Sequence, residues 1–196
     1  MQIASSRSSY ASLTPAQTER FQGRLEAMQD QVFFNLTPDD RFVRAGVEAP
    51  EWNEKSLRAA IGRGPELATD PAKGEKIFDG GLEEAAVAIT AERQELFGRV
   101  ERETSGYAEF IDDKGVAWDV KSPLSPPPGQ NWSYSPEHQV EKIRHDLEQG
   151  DKVLFNLSRV NDKDRDATLE LLKRELDAQE RTQLVILTDP EVDSLA

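Results

Sequence analysis

The sequence predicts an α/β protein in which a mixed central sheet is flanked by helices and preceded by a mostly helical N-terminal region. The C-terminal half alternates helical periodicity with strand-like runs in the order helix, hairpin, helix, strand, helix, strand. Two of its strands, Val153 to Leu157 and Leu184 to Leu187, are continuous apolar runs, the pattern of strands buried on both faces of a parallel sheet. Residues 13–82, by contrast, offer helix signals separated by proline and glycine.

Taken in order, residues 1–12 are rich in serine (Ser5, Ser6, Ser8, Ser9, Ser12) and read as a flexible leader. Thr14-Pro15 supplies an N-cap and a first-turn proline, and Phe21, Leu25 and Met28 share one face, so a helix is expected from Pro15 to about Gln31. Between residues 37 and 82 the breakers leave room for short helices such as Asn53 to Ile61. From Leu82 the apolar residues Ile89, Leu96, Phe97 and Val100 predict a long helix that runs to the stop at Ser105-Gly106. Tyr107 to Ile111 and Val116 to Lys121 then bracket Asp112-Asp113-Lys114-Gly115 as two strands of a hairpin. The loop Pro123 to Tyr134 is stiffened by Pro126, Pro127 and Pro128. Ser135-Pro136 opens a helix with Val140, Ile143 and Leu147 inward, and Gly150 closes it. A last helix, Asp162 to Asp177, separates the two buried strands. This gives three regions: a leader (1–12), a helical accessory or delivery region (13–82) and a C-terminal α/β domain (83–196).

Composition narrows the chemistry. The 196 residues carry 37 Asp+Glu against 24 Lys+Arg, a formal charge of −13. Residues 1–98 hold 11 basic and 16 acidic side chains and the remainder 13 and 21, so neither half has the positive field of a bulk nucleic-acid or membrane-surface binder. No cysteine is present, which excludes disulfides, thiolate nucleophiles and Cys-ligated metals. No run approaches the ~18 apolar residues of a membrane span, and Met1 to Ser6 lacks the layout of a Sec signal.

The hairpin carries the chemistry that remains. A three-residue loop of Asp113, Lys114 and Gly115 pairs Asp112 with Val116, Ile111 with Ala117, Phe110 with Trp118 and Glu109 with Asp119. This register puts Phe110, Ala108, Trp118 and Val120 on an apolar face, and Glu109, Asp119, Lys121 and Tyr107 on the other. Glu109 and Asp119 are then expected as cross-strand neighbours about 5 Å apart, with Lys121 two residues along. Such a pair suits a hard divalent ion such as Mg²⁺, with Lys121 orienting or deprotonating a water or neutralising charge on a phosphate. The same three residues also describe a solvated face balanced by salt bridges.

Strand-borne acid, hairpin, then Asp119-Val120-Lys121 resembles the PD-(D/E)xK nuclease pattern. The stretch Trp118 to Pro123, followed by Ile143 and Val153 to Ser158, is similar to the C-terminal tRNA-nuclease domains of contact-dependent growth inhibition toxins. The resemblance covers residues 83 to 188 and implies a restriction-endonuclease-like core. It also implies a metal-dependent nuclease acting on tRNA, or on DNA as the alternative, and a cognate immunity protein. Delivery by a route other than Sec into a target-cell cytoplasm is implied as well. The first acid of the pattern usually follows proline; here it follows Ala108, so Asp112 or Asp113 stands as an alternative to Glu109.

By the same resemblance a further carboxylate comes from the preceding helix, where the helical wheel selects Glu103. Trp132 and Tyr134 are candidates to stack on unpaired bases, Lys142 and Arg159 to hold phosphates, and Asn156 and Ser158 to meet substrate at a strand end. His138 and His145, seven residues apart, lack the spacing of a helical metal pair. A non-catalytic acidic interaction module is the rival reading, supported by the charge of −13.

Overall fold

The computed structural model describes residues 12–71, 74 and 76–191. Of the expected leader only Ser12 falls among them. The elements are α1 (Pro15–Ala27), β1 (Val32–Leu36), β2 (Phe42–Ala45), α2 (Glu54–Ala68), β3 (Thr69–Asp70), β4 (Lys76–Ile77), α3 (Asp79–Arg93), β5 (Glu101–Arg102), β6 (Phe110–Ile111), β7 (Ala117–Lys121), α4 (Pro136–Gln149), β8 (Lys152–Asn156), α5 (Asp162–Glu175), α6 (Ala178–Thr182) and β9 (Leu184–Thr188). Seven strands form one mixed sheet in the order β2-β1-β9-β8-β7-β6-β5, with β7, β8 and β9 parallel and the outer pairings antiparallel.

Alternation along the strands sorts side chains into two cores. Phe33, Phe110, Trp118, Val120, Leu154, Val185 and Leu187 face α1, α2 and α3. Phe34, Val153, Phe155, Leu184 and Ile186 face α4 and α5. The two cores make a three-layer sandwich, and Asp119 and Lys121, out of phase with Trp118 and Val120, point into the α4 layer.

The α4–β8–α5–β9 half follows the expected elements. Ser135 caps α4, Gly150 closes it in the left-handed conformation at φ 92°, and Asn161 caps α5. The N-terminal half departs from expectation in three places. Val32–Leu36 and Phe42–Ala45 are strands, joined by a turn in which Asp40 has φ 66° and the Thr37 hydroxyl accepts from the Arg41 N–H. Their apolar run begins only four residues after Met28, so it reads as a continuation of helical periodicity. Second, α2 runs through Gly62, Gly64 and Pro65 to Ala68, well past Ile61. Gly64 is required where it stands, because a β-carbon would lie 2.6 Å from the Phe21 ring.

The third departure corrects the long helix. α3 ends at Arg93 in a Schellman motif: Glu95 takes φ 57°, its N–H reaches the Glu92 carbonyl, and the Leu96 N–H reaches the Ala91 carbonyl. Glutamate here occupies a position that usually carries glycine, so the stop left no mark in the sequence. The chain then forms edge strand β5.

The division drawn at residue 82 falls inside α3, and β1 pairs directly with β9. Residues on both sides of it are also tied through Glu83, which is 2 % exposed. Its carboxylate lies 3.0 Å from Arg24 Nε of α1 and 3.2 Å from Arg159 Nη1, and accepts from Asn156 Nδ2 of β8 at 3.0 Å. Breaking such a pair leaves a charge without its partner in the interior, so Glu83→Ala is expected to destabilise by about 3 kcal/mol. In a chain of this size that is a fall of roughly 6–12 °C in melting temperature, and a melt within 2 °C of wild type contradicts the assignment.

Candidate functional site

The hairpin is set by its turn. Asp112 accepts from the Lys114 N–H, the Val116 N–H and Trp118 Nε1, all within 3.0 Å, while its own N–H donates to the Val116 carbonyl. Although burial works against it, these donors hold its carboxyl below the ordinary aspartate range. Asp113 accepts from the Gly98 N–H at 2.8 Å. Both alternatives for the first acid are thus occupied, Asp112 in shaping the turn and Asp113 in tying it to the segment that follows α3. The expected register holds for Ile111 with Ala117 and Phe110 with Trp118.

It fails one step later. The Glu109 N–H donates to the Trp118 carbonyl, so Glu109 and Phe110 both address Trp118, the two-against-one arrangement of a β-bulge. Glu109 therefore does not stand directly across from Asp119. Its side chain instead replaces a missing strand neighbour, with Oε2 accepting the Val120 N–H at 3.0 Å. This still brings the Glu109 carboxylate to the stretch of β7 between Asp119 and Lys121.

Asp119 is 9 % exposed and Lys121 Nζ lies 3.1 Å from its Oδ2. The same ammonium lies 2.8 Å from Oδ2 of Asp146, in the last turn of α4. Asp151, just before β8, is 1 % exposed and its Oδ1 has no hydrogen-bond partner. Burial, with the Asp146 carboxylate beside it and against the pull of Lys121, pushes the Asp119 carboxyl up to about 6. Burial raises Asp151 as well, with Asp146 adding to the effect. For Lys121, burial acts to lower the ammonium pKa, but the ion pairs with Asp146 and Asp119 outweigh it and the pKa rises. Lys121 opens onto a groove of ≈ 880 Å³ along α4, lined also by His138, Lys142, His145 and Arg174.

Glu103 does not sit on a helix, because α3 has ended ten residues earlier. Its carboxylate accepts from the Ser105 N–H, the Ser105 hydroxyl and the Tyr107 N–H, each at 2.9 Å. These donors, the Ser105 N–H foremost, hold it at about 2. Glu103 thus folds the loop that leads to Glu109, and the Glu103 N–H donates to the Glu109 carbonyl.

Of the other candidates, Lys142 lines the groove beside Lys121. Trp132 is 44 % exposed on its loop, whereas the Tyr134 hydroxyl pairs with Thr168 of α5 and its ring packs on the α4–α5 core. Asn156, Ser158 and Arg159 belong to the Glu83 network: Asn156 Nδ2 donates to Glu83 and Ser122, and Ser158 donates to Asn156. That network lies on the α3 side of the sheet, opposite Asp119 and Lys121. Sequence reasoning missed Asp146, although an acid between Ile143 and Leu147, on the inward stripe of α4, was a legible signal.

Among the described residues no three or more His, Asp or Glu side chains form a group arranged to hold a metal ion, and no helix is long and apolar enough to cross a membrane. Magnesium takes one or two carboxylates and fills its other positions with water and phosphate oxygens; the carboxylates nearest this stretch of β7 are Glu109, engaged at one oxygen by the Val120 N–H, and Asp119, engaged at one by Lys121 Nζ. The chain matches no protein-family model, no curated protein and no solved structure.

Proposed function

We propose that this chain is a metal-dependent endonuclease that hydrolyses phosphodiester bonds in RNA, with tRNA as substrate, on a restriction-endonuclease-like PD-(D/E)xK core. The observation that supports this best is the pairing of Asp119 and Lys121, 3.1 Å apart on β7 with Lys121 open to a groove, and with the Glu109 carboxylate bonded to the intervening backbone N–H. The mixed α/β sheet agrees with the coarse architecture that the resemblance implies.

Glu109 and Asp119 would hold Mg²⁺, which when bound polarises the phosphoryl oxygens and acidifies its water. Lys121 faces the same space and stabilises negative charge gathering on the phosphate. Lys142, His138 and His145 extend the polar lining along α4, a groove of mixed charge in which Lys121, Lys142, Arg144 and Arg174 are the cations that meet phosphates and Glu137, Glu141 and Glu148 stand among them. Exposed Trp132 offers a stacking surface. In its biological setting the chain acts as a toxin in competition between bacteria. It reaches the target-cell cytoplasm by a non-Sec route and is blocked in the producer by a cognate immunity protein.

The test is to induce the wild type, Asp119→Ala and Lys121→Ala in bacteria and run total RNA and genomic DNA on denaturing gels. Discrete tRNA fragments with wild type alone are expected, and purified enzyme should lose cleavage in EDTA and regain it with Mg²⁺. Fragmented DNA moves the assignment to a DNase. Intact nucleic acids in all three cultures move it to an acidic binding protein.

A further inference from the structure

Asp146 is a costly residue where it stands. It lies in the last turn of α4, which carries no basic side chain, and an anion there opposes the helix dipole. It is 8 % exposed, between the inward residues Ile143 and Leu147. An apolar side chain would suit the stripe better, since a buried ion pair rarely outperforms a packed hydrophobic one in stability. What Asp146 does accomplish is specific: its Oδ2 lies closer to Lys121 Nζ, at 2.8 Å, than does Asp119 Oδ2 at 3.1 Å.

The local fold makes this placement deliberate. Gly150 turns the chain at φ 92°, and the Asp151 N–H donates back to the Asp146 carbonyl, which brings a second carboxylate in behind the first. Lys121 therefore faces Asp119 from its own strand, Asp146 from α4 and Asp151 from the α4–β8 turn. Lys142 and His145 line the same groove from α4. A site that breaks stability rules on one element in order to fix a side chain on another is the usual mark of function.

We infer that Asp146 is a positioning residue that pins the Lys121 ammonium at one point between two carboxylates, so that Lys121 meets the reacting phosphate from a fixed place. The kinetic part of this inference rests on the nuclease reading; the positional part does not.

The experiment uses the full chain as wild type, Asp146→Asn and Asp146→Glu, each with a melting curve. Reductive methylation followed by peptide mass spectrometry compares Lys121 with exposed Lys163. Lys121 in the wild type should label about 10-fold more slowly than Lys163, and in Asp146→Asn it should label at least about 5-fold faster than in the wild type, because a neutral amide no longer anchors it. In cleavage assays Asp146→Asn should lose about 10-fold or more in kcat with KM within twofold, and Asp146→Glu should recover part of it.

Unchanged labelling together with unchanged kcat in Asp146→Asn overturns the inference. If the wild type cleaves nothing, the nuclease reading fails while the labelling ratio still decides the positional claim. Should Asp146→Asn not fold, Asp146→Glu carries the same test: its longer side chain displaces the ammonium, and Lys121 labelling equal to wild type counts against the pinning.

Discussion

Asp119→Asn is expected to lose at least about 100-fold in cleavage rate while melting at a higher temperature than the wild type above pH 6. The two effects have one cause. Asp119 is buried against β8 and α4 with a second carboxylate beside it, and its pKa rises from 3.8 to about 6 on folding. Between those values the folded protein binds more protons than the unfolded chain. The contribution of Asp119 to stability therefore falls as pH climbs from about 4 to 6, and the cost of burying its charge is complete above about 7. Asparagine has nearly the same shape and no charge. Lys121 keeps Asp146 at 2.8 Å, so its ammonium is not abandoned.

A gain on the order of 1 kcal/mol at pH 7.5, or roughly 2–4 °C, follows once partial solvation is allowed for. The gain should vanish below pH 4, where Asp119 is protonated in either state. Activity goes the other way because an amide is a poor ligand for a hard cation. The measurements are thermal melts from pH 4 to 8 and initial rates on tRNA. A variant that is less stable than the wild type at pH 7.5, or that cleaves at the wild-type rate, contradicts the reading.

The second large effect concerns the N-terminal region. A chain of residues 83–196 is expected not to fold. Removing what precedes it strips β1 from β9, so Val185 and Leu187 lose their cover, and deletes Phe21, Leu25, Phe33, Phe34, Leu36 and Leu67, each 1 % exposed or less. Each such side chain contributes about 1.5–3 kcal/mol on burial. For the six together that is about 9–18 kcal/mol, as much as the whole stability of an ordinary domain. Arg24, the α1 partner of Glu83, goes too. Circular dichroism should show no cooperative melt, and NMR should show collapsed amide dispersion. A sharp melt from this fragment would falsify the view that residues 13–82 are part of one core, and would restore them as an autonomous delivery module.

These predictions differ in how far the sequence alone could reach them. The hairpin was legible because its signals are local. Asp112 to Gly115 specify a turn, period-2 alternation then places Trp118 and Val120 on one face and Asp119 and Lys121 on the other, and that division holds in the sheet. Strands β8 and β9 and helices α4 and α5 were legible for the same reason, since each carries its own cap and apolar stripe.

The failures are positions where a nonlocal contact overrides a local pattern. Glu95 adopts a left-handed conformation with no glycine to announce it, and the α3 helix ends there with the Val47 N–H bonded to the Gln94 carbonyl. Glu103 consequently moved from a helix face to a loop. β1 and β2 exist because β9 offers an edge to pair with, which no window of residues 32–45 reveals.

The sequence by itself determined the α/β class, the acidic charge, the exclusion of cysteine chemistry and the strand that carries Asp119 and Lys121, since composition and periodicity are properties of short stretches of chain. Only the tertiary structure decided that a bulge takes Glu109 out of direct register with Asp119 and that Asn156 and Arg159 serve a buried Glu83 on the opposite side of the sheet. Only it brought Asp146 to Lys121 across twenty-five residues, because the crossover from β7 through α4 to β8 folds the end of the helix back over the strand it left.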